Sequence, residues 1–145
     1  GRGANDVWAV GGDGQQTVGQ LIGGTQHFTG GWSWIALGST QNMKDIAFTT
    51  RGTFIVGNGG EIWFDGGNGF QRQTSAVATD LNSVWAAGSG TLFAVGGSGA
   101  VVTSAGDGAW HLEATPAALP LNAVWGAGET EVYAVGYAGE ILHRQ

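Results

Sequence analysis

The chain is 145 residues long, enough for one domain, and sets 5 Lys and Arg against 11 Asp and Glu for a formal net charge of −6. The five cations, Arg2, Lys44, Arg51, Arg72 and Arg144, lie singly along the chain, which argues against a surface that tracks nucleic-acid phosphates. Cysteine is absent, which removes disulfides and thiol chemistry. The sequence shows neither a basic-then-apolar leader nor an apolar stretch of about 18 residues, so a soluble chain with no membrane partner is expected.

Glycine occupies 29 positions, and no longer window keeps an apolar 3.6-residue period free of it. Each glycine costs about 1 kcal/mol inside a helix, so the apolar segments are read as strands. In chain order the first unit, 1–42, holds strands at 6–10, 25–29 and 33–37, with an insertion around Gln15 to Gln20. The second, 43–80, holds 44–49, 53–57, 61–65 and 69–73. The third, 81–120, holds 82–87, 91–96, 100–104 and 109–114; the fourth, 121–145, holds 122–127, 131–136 and 140–144. Between them, Gly57-Asn-Gly-Gly60 and Gly96-Gly-Ser-Gly99 are tight strand connections, because no Gly-Lys-Ser/Thr or helix follows to make them phosphate cradles.

The units repeat one another. Asn5-Asp-Val-Trp-Ala-Val-Gly11, Thr53-Phe-Ile-Val-Gly57, Thr91-Leu-Phe-Ala-Val-Gly96 and Glu131-Val-Tyr-Ala-Val-Gly136 are versions of one strand. Leu81-Asn-Ser-Val-Trp85 and Leu121-Asn-Ala-Val-Trp125 are versions of another, with Met43-Lys-Asp-Ile-Ala47 in the same place. Four strands recurring at about 40 residues match the blade of an all-β propeller, whose sheets bury both faces only when neighbouring blades stack on them. A β-helix would use a shorter coil, and a sandwich needs no repeat.

The first unit lacks its first strand and the last lacks its fourth, which makes fourteen strands in a single repeat domain spanning 1–145. An incomplete arc exposes strand edges and stacking faces, so closure by homo-oligomerisation through the terminal strands is expected, with a single ring closed by overlap of the ends as the competing arrangement.

Catalytic chemistry finds little support. His27, aligned with Trp63 and Val102, His143, aligned with Phe64 and Thr103, and His111 after Trp110 do not form a spaced ligand set, so no metal is expected. Glu61 and Glu140 recur, but Thr25 and Ala100 fill the equivalent positions, so they are read as turn or edge charges. No catalytic residue and no cofactor is assigned. Among the aromatics, Trp8 aligns with Phe93 and Tyr133, and Trp34 with Phe70 and Trp110, a periodicity that favours packing between blades. Trp32, Trp63 and Tyr137 break their columns. With polar neighbours such as Asp65 and Asn68, they form the speculative ligand-binding set, able to stack on a sugar or anchor a protein.

The pattern Asn-x-Val-Trp-Ala/Gly-x-Gly, then Val-Tyr/Trp-Ala-Val-Gly-x-x-Gly-x-Ile, then Asp/Thr-Gly-Gly-x-x-Trp/Phe resembles the Gly/Trp-rich propeller repeats of bacterial, especially myxobacterial, secreted or surface proteins. It covers nearly all of the chain, and the repeats ending in mid-unit look like an excised or engineered propeller fragment. It is more distantly similar to photosystem-assembly propellers and to Asp-box proteins, whose spacing Ser104-Ala-Gly-Asp-Gly-Ala-Trp110 matches only loosely. The resemblance implies a propeller at the cell surface or outside it, and a binding role. Two function classes fit: a non-catalytic, lectin-like module for glycans, and a structural or protein-interaction scaffold that self-assembles.

Overall fold

The structure is a computed structural model that describes residues 2–12 and 23–145. Among the described residues are fourteen strands: β1 (Val7–Gly12), β2 (Gly23–Phe28), β3 (Trp32–Ser39), β4 (Met43–Thr49), β5 (Gly52–Gly57), β6 (Ile62–Asp65) and β7 (Gln71–Gln73). β8 (Leu81–Ala86), β9 (Leu92–Gly96), β10 (Val101–Ser104), β11 (His111–Glu113), β12 (Leu121–Gly128), β13 (Glu131–Gly136) and β14 (Ile141–Arg144) complete them. They form four antiparallel meanders, β1-β2-β3, β4 to β7, β8 to β11 and β12-β13-β14. Each expected strand is present in this three, four, four, three arrangement. The insertion expected around Gln15 to Gln20 lies outside the described residues.

The sheets are propeller blades, each laying one face on the next. Phe54, Val56 and Ile62 of the second sheet meet Leu92, Ala94, Val102 and Trp110 of the third. Phe93, Val95 and Val101 of the third meet Val124, Val132 and Ala134 of the fourth. Val10 and Leu37 of the first meet Ile46, Ile55 and Trp63 of the second. The inner strands of the two central sheets are therefore covered on both sides, which is why β5 and β9 read as unbroken apolar runs instead of alternating. Polar rungs cross the same interfaces: Asp45 Oδ2 accepts from Ser83 Oγ at 2.8 Å and from the Val84 amide at 2.9 Å.

In the second, third and fourth blades the connections between second and third strands are single 3₁₀ turns, Asn58–Gly60, Gly97–Gly99 and Tyr137–Gly139. Their last residues, Gly60, Gly99 and Gly139, have φ of 72°, 71° and 78°, the left-handed region that glycine enters without strain. The first residue of each turn donates its amide to the linker entering its blade: Asn58 to Asn42, Gly97 to Asp80 and Tyr137 to Pro120, at 2.8–3.0 Å.

Strand pairing corrects two columns of the sequence alignment. His27 pairs with Trp8 as Phe64 pairs with Phe54 and His143 with Tyr133, so His27 is equivalent to Phe64 and His143, one position from the column expected for it. Trp34 pairs with Gln26 as Arg72 pairs with Trp63, so Trp32, not Trp34, occupies the place of Phe70 and Trp110. The reason is loop length. His27↔Ser33, Phe64↔Gln71 and Thr103↔His111 enclose connections that lengthen by one residue from each sheet to the next, and a fixed Gly-x-x-x-aromatic spacing cannot follow that drift.

Candidate functional site

The strands place the five expected binding residues in different parts of the molecule. Asp65 closes β6 and accepts the amides of Gly67 and Gly69 on Oδ1 at 2.7 and 2.9 Å, which ties its carboxylate to the turn that carries exposed Asn68. That turn and Tyr137 lie at opposite ends of the blades, because successive connections of a meander alternate ends. Trp63 is half-buried against the cluster of Leu37, Met43 and Ile55, and its indole donates to Glu61 Oε2 at 2.9 Å, so it is a packing residue and no platform. Glu61 is itself buried, with the Arg72 guanidinium at 3.4 Å, which corrects its reading as an edge charge. Trp32 is exposed on the outer face of the first sheet, beside Phe28.

Tyr137 is 61% exposed and borders a groove. The backbone explains its position: the Tyr137 amide is pinned to the Pro120 carbonyl at 3.0 Å, so a ring stands where the other turns carry Asn58 and Gly97. The groove, about 620 Å³, is lined by Lys44, Asp80, Asn82, Asn122, Leu119 and Tyr137 among others. Lys44, Asn82 and Asn122 are the second residues of β4, β8 and β12, so the groove crosses three successive blades with one polar side chain from each. Lys44 Nζ donates to Asn82 Oδ1 at 3.3 Å and lies 3.7 Å from Asp80 Oδ2, while Asn82 Nδ2 donates to the Leu121 carbonyl at 2.8 Å. Asp80 also accepts the Gly59 amide at 2.9 Å. This ladder offers fixed donors and acceptors along an extended path beside an aromatic ring. Its sequence signal is the shared offset of Lys44, Asn82 and Asn122 within the repeat.

A second constellation recurs in the first and last sheets. Asp6 Oδ1 takes the Trp8 indole N–H at 2.7 Å and lies 2.8 Å from His27 Nε2, and the His27 ring stacks on Trp8 at 4.0 Å. In the last sheet Tyr133 donates its hydroxyl to Glu131 at 3.0 Å, His143 stacks on Tyr133 at 4.2 Å, and His143 Nε2 is 3.6 Å from Glu131. Arg2, with its Nε 2.7 Å away, and Trp8 hold Asp6 down to about 2. The Glu131 carboxylate pushes the Tyr133 phenol up by accepting a hydrogen bond from its hydroxyl, which favours the protonated form. The central sheets carry Phe54 with Phe64 and Phe93 with Thr103 at these positions. Sequence comparison missed the pairing because His27 was one column out. Among the described residues no group of three or more His, Asp or Glu side chains is arranged to hold a metal ion.

Comparison with known proteins gives the fold. No family model and no curated protein matches the chain. Among solved structures, the chain is similar to one described as YCF48 bound to D1 peptide, with a TM-score of 0.68 and 16% identity over 97% of this chain and 50% of that one. The chain thus spans about half the length of that β-propeller.

Proposed function

We propose that the chain is a non-catalytic propeller module that binds a protein segment in extended form along the groove beside Tyr137. The observation that carries this reading is the Lys44–Asn82–Asn122 ladder, which presents one polar side chain per blade next to an exposed ring. Amides spaced along a groove suit the alternating donors and acceptors of a peptide backbone, and Tyr137 offers an amphipathic contact for one side chain. The similar propeller, described as bound to a peptide, supports the same ligand class. A glycan, the lectin-like reading of the sequence, would use Tyr137 as a stacking surface and the same amides for its hydroxyls. Trp63, spent on packing, and Asp65, spent on its turn, would not contribute to that site.

The test is binding of fluorescently labelled chain to arrays of immobilised peptides and of glycans, repeated with Tyr137→Ala and Asn122→Ala. Saturable peptide binding weakened at least about tenfold in both variants is the expected result. Binding confined to the glycan array replaces the protein ligand with carbohydrate, and no saturable binding on either array overturns the module reading. Self-association is the second partner reading, favoured by one observation: the outer faces of the first and last sheets are apolar and uncovered.

A further inference from the structure

We infer that these two faces are complementary and that a second copy of the chain docks its first sheet on the last sheet of its neighbour, with Trp32 of one copy packed against Tyr133 of the other. The proposal rests on the self-association reading and assigns its contact.

Equivalent positions carry the argument. Val56 and Val95 are 0% exposed because the following sheet covers them, whereas Val135, the same position in the last sheet, is 43% exposed. Ile62 and Val101 are 0% and 8% exposed, and their equivalent Ile141 is 66%. Trp85 lies over Gly126 of the following blade; its equivalent Trp125 faces solvent. The last sheet therefore presents the face that its predecessors bury. The first sheet presents the opposite face, with Val7, Trp32 and Trp34 exposed, where the sheets after it place Val132, Leu92 and Trp110 in contact with a preceding blade.

The aromatic contacts name the partner residue. Phe70 of the second sheet packs edge-on against Trp8 of the first, with centroids 6.1 Å apart, and Trp110 of the third packs edge-on against Phe54 of the second at 6.3 Å. At the next junction the Arg144 guanidinium covers Phe93, 5.4 Å from its centroid. Tyr133 is the following member of the Trp8, Phe54, Phe93 series, and Trp32 is the missing member of the Phe70, Trp110 series. Among the described residues neither has an aromatic partner on a neighbouring blade, and each supplies what the other lacks. A face of one kind meeting a face of another is a heterologous contact, which closes when two copies complete the turn and otherwise continues into a chain of copies. Two copies of the four described sheets fall within the roughly four to eight blades of closed propellers, which favours closure by two.

Light scattering at micromolar concentration is expected to give about twice the 14.8 kDa chain mass. Trp32→Ser and Tyr133→Ser, both at solvent-accessible positions, should each weaken the association at least about tenfold, while Leu112→Ser, an exposed apolar residue away from both faces, leaves it unchanged. Because the faces differ, mixing the two single variants should restore association through one intact junction. Independently of any variant, amide exchange in β3 and β13 of the unaltered chain should slow as concentration rises. A monomer at these concentrations overturns self-association together with the contact. An assembly whose mass survives both substitutions, or whose exchange in β3 and β13 ignores concentration, overturns the Trp32–Tyr133 docking and leaves self-association standing.

Discussion

Gly57, Gly96 and Gly136 end the repeated second strand of their blades for a steric reason and not a conformational one. Their backbones are extended, but a Cβ on Gly96 would overlap the Asp80 carbonyl oxygen, and the same clash recurs with Asn42 at Gly57 and Pro120 at Gly136. The glycine lets the linker from the preceding blade run against the strand end, where its carbonyl then accepts the next amide. Gly96→Ala is therefore expected to cost about 2–3 kcal/mol, read as a lower denaturant midpoint with unchanged slope. Asp6 offers a pH signature. Its folded pKa of about 2 lies below the ordinary carboxylate value of 3.8, so its contribution to stability is complete above about pH 4 and is lost as pH falls through 2. Melting temperatures of the chain and of Asp6→Asn should differ at pH 5–7, with the unaltered chain higher, and should converge between pH 4 and 2.

The second, third and fourth blades are joined to one another by polar bonds as well as by apolar packing. Asp45 does three things at once: Oδ1 accepts the Ile46 amide at 2.8 Å, and Oδ2 takes the Ser83 hydroxyl and the Val84 amide of the following blade. Ser83 repeats the last of these toward the Val124 amide at 3.4 Å, and at the equivalent position of β12 stands Ala123, which cannot. The rung thus weakens along the arc, from carboxylate to hydroxyl to methyl. Asp45→Ala leaves the Val84 amide unpaired between blades and should cost about 1.5–3 kcal/mol in equilibrium unfolding, more than Ser83→Ala. The strands themselves were legible from sequence because four apolar segments per repeat, separated by glycine turns, admit few other structures. Their lateral register was not, since it is set by loops of 5, 6 and 7 residues between His27 and Ser33, Phe64 and Gln71, and Thr103 and His111.

At the scale of the whole molecule, the repeat makes the stability a sum over sheets and the interfaces between them. The central sheets are covered twice and the outer sheets once, so the surface most open to a partner is also the surface least committed to the core. The sequence by itself determined the strands among the described residues and the propeller class, because a 40-residue period with two apolar faces per blade is written in local patterns. Which aromatics are buried was decided only by the tertiary structure. Trp63 looked like a surface platform until its sheet met the first one, and Trp32 looked irregular until pairing placed it beside Phe70 and Trp110 in the same series. The groove that joins Lys44, Asn82 and Asn122 is likewise a tertiary product. Residues about 40 apart become neighbours only when successive inner strands lie side by side, and no single-blade pattern carries that distance.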